Sequence, residues 1–206
     1  MSQLAHTFRL LELTRSQVQY GYALSGISKH EISDLAQHHY LVASFAWQLA
    51  RAINKQGGTL NIERILEITL VHDLGELFGG DIAMPYAKAN TAAREKATAF
   101  EQENQRYLST ILSEDPEYLQ SLFAEANKPV TDEALVAKIA DYMEVTHYKI
   151  HIRRFSPGDV TMIMKRINTF IDSISAPTTK AAARSLITLW SDEIQTLDDE
   201  LFASYK

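Results

Sequence analysis

Residues 71–85 read VHDLGELFGGDIAMP. Within ten residues this stretch sets an imidazole and three carboxylates: His72, Asp73, Glu76 and Asp81. The residues before it, from Asn61, carry helical periodicity. Ile62, Ile65, Leu66 and Thr69 define an apolar face, and Asn61 suits the N-cap. At about 100° per residue, Asp73 falls near the middle of that face and His72 at its edge. An ionised carboxylate turned into a core is costly unless it is paired or holds a cation. No Lys or Arg lies within the turn that follows Asp73. The other placement, exposed acids at a helix C-terminus, would oppose the helix dipole. Glu76 stands one turn beyond, so it can face the same point if the helix continues.

Two further segments bring similar groups. Residues 31–55 form a long helix stopped by Gly57-Gly58, with Leu35, Val42, Phe45, Ala46, Leu49 and Ile53 on one stripe. His38 and His39 flank that stripe, and periodicity does not choose between them. A helix introduced by Pro129 and Thr131 and running to about residue 152 is apolar almost all round, the mark of a buried helix. Asp141 lies there on the row Ala134, Ala137, Val145, Tyr148, with no base on that row. Three buried helices thus each present a group of metal-ligand type. Imidazoles mixed with carboxylates suit Mn, Fe, Co, Ni or Zn better than Mg or Ca.

The rest of the chain is helical and plain. Short helices are expected at 3–15 and 116–126, longer ones at 91–112, 157–176 and 178–203, and irregular backbone around 16–30. Gly75, Gly79, Gly80 and Pro85 mark a loop. About seven helices and no strand predict an all-α fold, a single compact domain over residues 1–206 with its motifs in 15–150 and C-terminal helices (157–203) packed on them. The composition agrees: 46% of the residues are hydrophobic, and Gly (8) and Pro (5) are scarce. No cysteine is present, which excludes thiolate ligands and cysteine nucleophiles. A net charge of −6 argues against a nucleic-acid partner and for a small ligand. If that ligand is an anion, a bound cation must offset the repulsion locally. Neither a secretory signal nor a membrane span is read, so a cytoplasmic location is expected.

Three stretches, AQHHYLVA (36–43), VHDLGELFGGDIAMP (71–85) and KIADYMEV (138–145), resemble the HD-domain superfamily of metal-dependent phosphohydrolases. The nearer likeness is to its small 5'-nucleotidases, which act on deoxynucleoside monophosphates. The resemblance selects His38 over His39 and implies one divalent metal ion held by His38, His72, Asp73 and Asp141. It implies a catalytic Glu76, a substrate-contacting Asp81, a small phosphate-ester substrate and a helical homodimer. The group's N-terminal motif carries an Arg that grips phosphate. Here the matching stretch is Gln19-Tyr20-Gly21-Tyr22, which leaves Gln19 and Tyr22 as the substrate contacts, and a second basic position is Ser25. Gln cannot imitate the bidentate guanidinium. Arg15, Lys29 and Lys88 are candidate replacement charges. The alternatives are a non-catalytic protein that binds a nucleotide or phosphometabolite, an HD-type phosphodiesterase, or a diiron oxygenase. The last two use extra His ligands between the His-Asp pair and the distal Asp, and no His lies between Asp73 and Asp141. His147 and His151 follow later, one helical turn apart, and read as exposed or core-edge groups.

Overall fold

The computed structural model describes residues 4–22 and 27–196. Among them are nine α-helices and no strand. The helices are α1 (Leu4–Leu11), α2 (Leu35–Lys55), α3 (Ile62–Val71), α4 (Met84–Ala89), α5 (Thr91–Leu112), α6 (Pro116–Asn127), α7 (Asp132–His151), α8 (Pro157–Ser173) and α9 (Pro177–Ile194). Ser25 and the continuation of the last helix to residue 203 lie outside the described residues.

The helix starts follow capping chemistry. Asp34, Asn61, Asp115 and Thr131 each accept a backbone N–H of the first turn of α2, α3, α6 and α7. The count exceeds the expected seven or so partly because α4 occupies residues read as loop. Pro85 is what starts it: in the first helical turn its fixed φ is already helical and its missing N–H has no partner to lose.

α2 and α7 form the centre. α2 packs on α7 and α3, and α8 covers the far side of α7. Ala134, Leu135, Val136, Ala137, Ile139 and Ala140 of α7 are all buried, as expected of a helix apolar on every side. With Ile53, Ile65, Ile68, Leu108, Phe123, Ile167 and Ile187 they join one hydrophobic cluster. Burial of each such large side chain is worth roughly 1.5–3 kcal/mol. The cluster holds α2, α3 and α7 in fixed register. The candidate site depends on that register, because its groups come from all three.

Residues 17–22 are fastened across the start of α2. Leu35 N–H donates to Gln17 O (2.9 Å) and Gln19 N–H to Ser33 O (3.0 Å), around an isolated bridge between Val18 and Asp34. This tether brings Gln19 and Tyr22 beside the first turn of α2, where His38 sits.

Candidate metal centre

α3 ends at Val71, earlier than the sequence suggests, and residues 74–76 form a single 3-10 turn. Asp73, between them, has φ −110° and ψ 12°. Consecutive side chains on a regular helix diverge by about 100°. The break lets His72 and Asp73 address the same point. Gly75 keeps the turn close to α5: a Cβ there would stand 2.8 Å from Cγ of both Glu101 and Gln105. The buried Asn104 amide of α5 donates to Gly75 O (2.8 Å).

His38 Nε2 lies 3.1 Å from His72 Nε2, 3.4 Å from Asp73 Oδ2 and 3.5 Å from Asp141 Oδ1. His72 Nε2 is 3.3 Å from the same Asp73 oxygen. Among the described residues, His38, His72 and Asp73 form a tight group of ligand atoms. Asp141 reaches it with one oxygen, and the other accepts from Lys138 Nζ (2.6 Å).

The opposite edges of both rings are committed. His38 Nδ1–H donates to Glu144 Oε2 (2.7 Å) and His72 Nδ1–H to Thr69 O (2.8 Å). In the neutral state each ring would therefore turn an Nε2 lone pair toward the other. Two lone pairs at 3.1 Å repel unless a proton or a cation lies between or beside them. Backing of the second ring nitrogen by a carboxylate or carbonyl is the usual arrangement of a metal-binding imidazole. The donor set fits a divalent cation.

The electrostatics carry the same demand for positive charge. Burial opposes a charged His38, but hydrogen bonds with Asp73 and Glu144 outweigh it and raise its pKa to about 10. Burial likewise opposes ionised Asp73, yet His72 and His38 hold its carboxyl well below the usual range. Asp141 is lowered against its burial chiefly by Lys138. Glu76 moves the other way. Burial, then the charges of Asp73, Asp81 and Glu101, push it to about 10, so it carries its proton at neutrality. Asp81 is raised by burial to about 6, although the Gly21 N–H donates to its carboxylate. Glycine leaves room for that contact, since a Cβ on Gly21 would stand a tight 3.2 Å from Asp81 Oδ1.

A cavity of 530 Å³ opens beside the cluster, lined by His38, Glu76, Asp81 and Asp141 together with Tyr142, Val145 and Ile163. Gln19 and Tyr22 line it too. Gln19 is buried and its Oε1 has no partner, nor does the buried Tyr22 hydroxyl. A second cavity, of 600 Å³, lies on the Asp73 side and is bounded by Arg94, Glu101 and Gln102 of α5. Glu76, Lys138 and Asp141 line both.

The family model for the HD domain matches residues 15–194. The chain belongs to the HD domain family. It is 30% identical to the 5'-deoxynucleotidase YfbR of Escherichia coli over 63% of its own length and 58% of that protein's. It is also 30% identical to a 5'-deoxynucleotidase of Vibrio cholerae over 66% of this chain and 67% of the relative. In fold, this HD domain is similar to a conserved hypothetical protein from Pyrococcus furiosus: TM-score 0.67 at 22% identity, with 94% of this chain and 99% of the other covered. The PH0347 protein of Pyrococcus horikoshii superposes with a TM-score of 0.59 at 18% identity, over 87% and 98% of the two chains.

Within the HD domain, His38, His72, Asp73 and Asp141 come together, and Glu76, Asp81, Gln19 and Tyr22 line the adjoining cavity. His39 is not in the group of ligand atoms: its buried ring packs on that of His72 (centroids 4.9 Å apart), its Nε2 has no partner, and burial lowers its pKa to about 3. His147 is a core-edge group that accepts from Trp190 Nε1 (3.0 Å), and His151 is exposed. The sequence reading missed Glu144 and Lys138. Both were visible as charged residues on a helix otherwise apolar, three residues either side of Asp141. The 134–137–145–148 row holds no base, as read, but Lys138 reaches Asp141 from the preceding turn. Arg15 is paired with Glu12 on the surface (2.7 Å), the Lys29 side chain lies outside the described residues, and Lys88 lines the cavity.

Proposed function

We propose that this chain is a metal-dependent phosphomonoesterase of 5'-nucleotidase type, using one divalent transition-metal ion of the Mn, Co, Fe, Ni or Zn group. The observation that carries it is the facing pair of Nε2 atoms, each ring backed at Nδ1, beside Asp73 and Asp141. The similarity to 5'-deoxynucleotidases supports the reaction class. His38, His72, Asp73 and Asp141 would hold the ion, which supplies Lewis acidity toward a phosphoryl oxygen and makes water acidic near neutrality. Glu144 and the Thr69 carbonyl keep the two rings aimed at it.

Glu76 is the acid. It is protonated at neutral pH and borders both cavities, so it delivers its proton to the leaving oxygen as a water oxygen bonds to phosphorus and the ester phosphorus–oxygen bond breaks. Asp81, anchored by the Gly21 N–H, accepts from a hydroxyl of the leaving group, and Gln19 and Tyr22 complete that end. A cavity of 530 Å³ is in the range of small-molecule sites and suits a nucleoside monophosphate or similar ester. No described helix is long and apolar enough to cross a membrane. A second copy of the chain is the expected partner, with exposed Phe8, Tyr40 and Leu70 available to such a contact.

A screen of phosphate esters with Mn, Co and Ni, scored for released phosphate, tests the assignment. Turnover of a nucleoside monophosphate that a chelator abolishes is the expected result. Tight nucleotide binding without turnover under every metal would favour the non-catalytic reading. Glu76→Gln should keep the metal and lower kcat by about 10²–10⁴-fold. Wild-type turnover in that variant would remove Glu76 from the chemistry.

A further inference from the structure

The cavity holds more positive charge than the motifs account for. Besides Lys88, it is lined by Lys138, Lys149 and Arg166, from α7 and α8. Two of these are already engaged. Lys138 Nζ donates to Asp141 (2.6 Å), and Lys149 Nζ donates to Asp159 Oδ1 (2.7 Å). Asp159 is itself held by Ser156 N–H and Oγ–H at the start of α8 (2.9 and 2.7 Å). Among the described residues, no carboxylate or other group engages the Arg166 guanidinium. Met162 and Ile163 precede it by four and three residues and line the same cavity, so this face of α8 is turned toward the site. Lys88 is the other unengaged cation, but it offers a point charge rather than a planar fork.

Gln19 lines the same cavity with a neutral amide whose buried Oε1 has no partner, and an acceptor of that kind attracts a hydroxyl or N–H rather than phosphate. Glu76, Asp81 and Asp141 add acidic groups around the reacting position. Beside the metal ion, a doubly charged phosphate entering this cavity is best met by a cation that no carboxylate already engages.

We propose that Arg166 of α8 binds the substrate's phosphate through its unengaged planar guanidinium. The ester then lies with its phosphate between the metal centre and α8, and its leaving group toward Gln19, Tyr22 and Asp81. Specificity for the anion therefore comes from the C-terminal part of the domain, outside the three motif stretches. This rests on the phosphomonoesterase reading, but it is tested by binding alone.

The experiment is calorimetric titration of inorganic phosphate into Mn-loaded protein, for wild type, Arg166→Ala, Arg166→Lys and Lys165→Ala. Lys165 is an exposed neighbour outside the cavity and controls for net charge. Loss of a charge-assisted bidentate contact should weaken phosphate binding roughly 10- to 100-fold in Arg166→Ala. Arg166→Lys should recover part of it, and Lys165→Ala should match wild type. Where an ester is turned over, Arg166→Ala should raise KM more than it lowers kcat. Equal affinity in wild type and Arg166→Ala, an equal loss in Lys165→Ala, or no phosphate binding by wild type would each overturn the proposal. Phosphate bound through Arg166 by a protein that hydrolyses no ester would sink the enzymatic reading while leaving this one standing.

Discussion

His38 has no free edge: one ring nitrogen is spoken for by Glu144, and the other meets His72, Asp73 and Asp141. Glu144 is 1% exposed, so its charge is tolerable only because the imidazole N–H partners it. Glu144→Gln keeps the shape but gives the ring a weaker and ambiguous partner. We expect metal affinity to fall about 10–100-fold, with activity largely recovered at high metal concentration. A competitive chelator titration reads this directly, and unchanged affinity would make Glu144 a filler of space only. His72, Asp73 and Asp141 could be picked out from chemistry, since they stood out on apolar helices, whereas only the family resemblance chose His38 over His39. Glu144 could not be assigned that way, because its partner is 106 residues distant and only the packing of α2 on α7 joins them.

Between Val71 and Leu77 the chain leaves the α-helix, and this change positions three functional groups at once. Extrapolated helical phase put Asp73 on the buried face and left His72 at the edge. The observed turn brings both to one point and sends Glu76 to the boundary of the two cavities. The helices themselves were legible because capping residues and apolar stripes are local signals. The end of α3 was not, because the glycine that shapes it answers to α5, which comes more than twenty residues later. α4 was hidden for a related reason: Pro85 signals a turn and a helix start equally well, and only α5 packed beside it decides. Gly75→Ala should push the turn away from Glu101 and Gln105. A loss of about 1–3 kcal/mol in chemical denaturation, with weaker metal binding, is expected. Full stability in that variant would show that the α5 contact is not what sets the turn.

The whole molecule is acidic, yet its centre is poised to take up positive charge, and this links folding to pH and metal. Asp81 and Glu101, raised by burial to about 6 and about 7, bind protons more tightly folded than unfolded. His38, raised to about 10, does the same. Such groups stabilise the fold fully below their unfolded pKa values, and that contribution fades as pH rises through the folded ones. Asp73 and Asp141, held low, act oppositely, and their contribution is lost only as acid protonates them. Chelator-treated protein should therefore lose stability from about pH 5 to 8. A bound cation competes with the proton on His38 and lowers the cost of the charged carboxylates around it, so its stabilising effect should grow over the same interval. Thermal melts across that range, with and without Mn, check the sign. Metal-free protein more stable at pH 8 than at pH 5.5 would contradict it.

X-ray absorption on protein stripped with chelator and reloaded with one equivalent of Mn or Co tests the metal centre most directly. Two imidazole nitrogens with oxygen ligands, one ion per chain, and loss of that signature in Asp73→Ala are the predicted result. An ion bound without histidine, or a chain that takes up none, would contradict it.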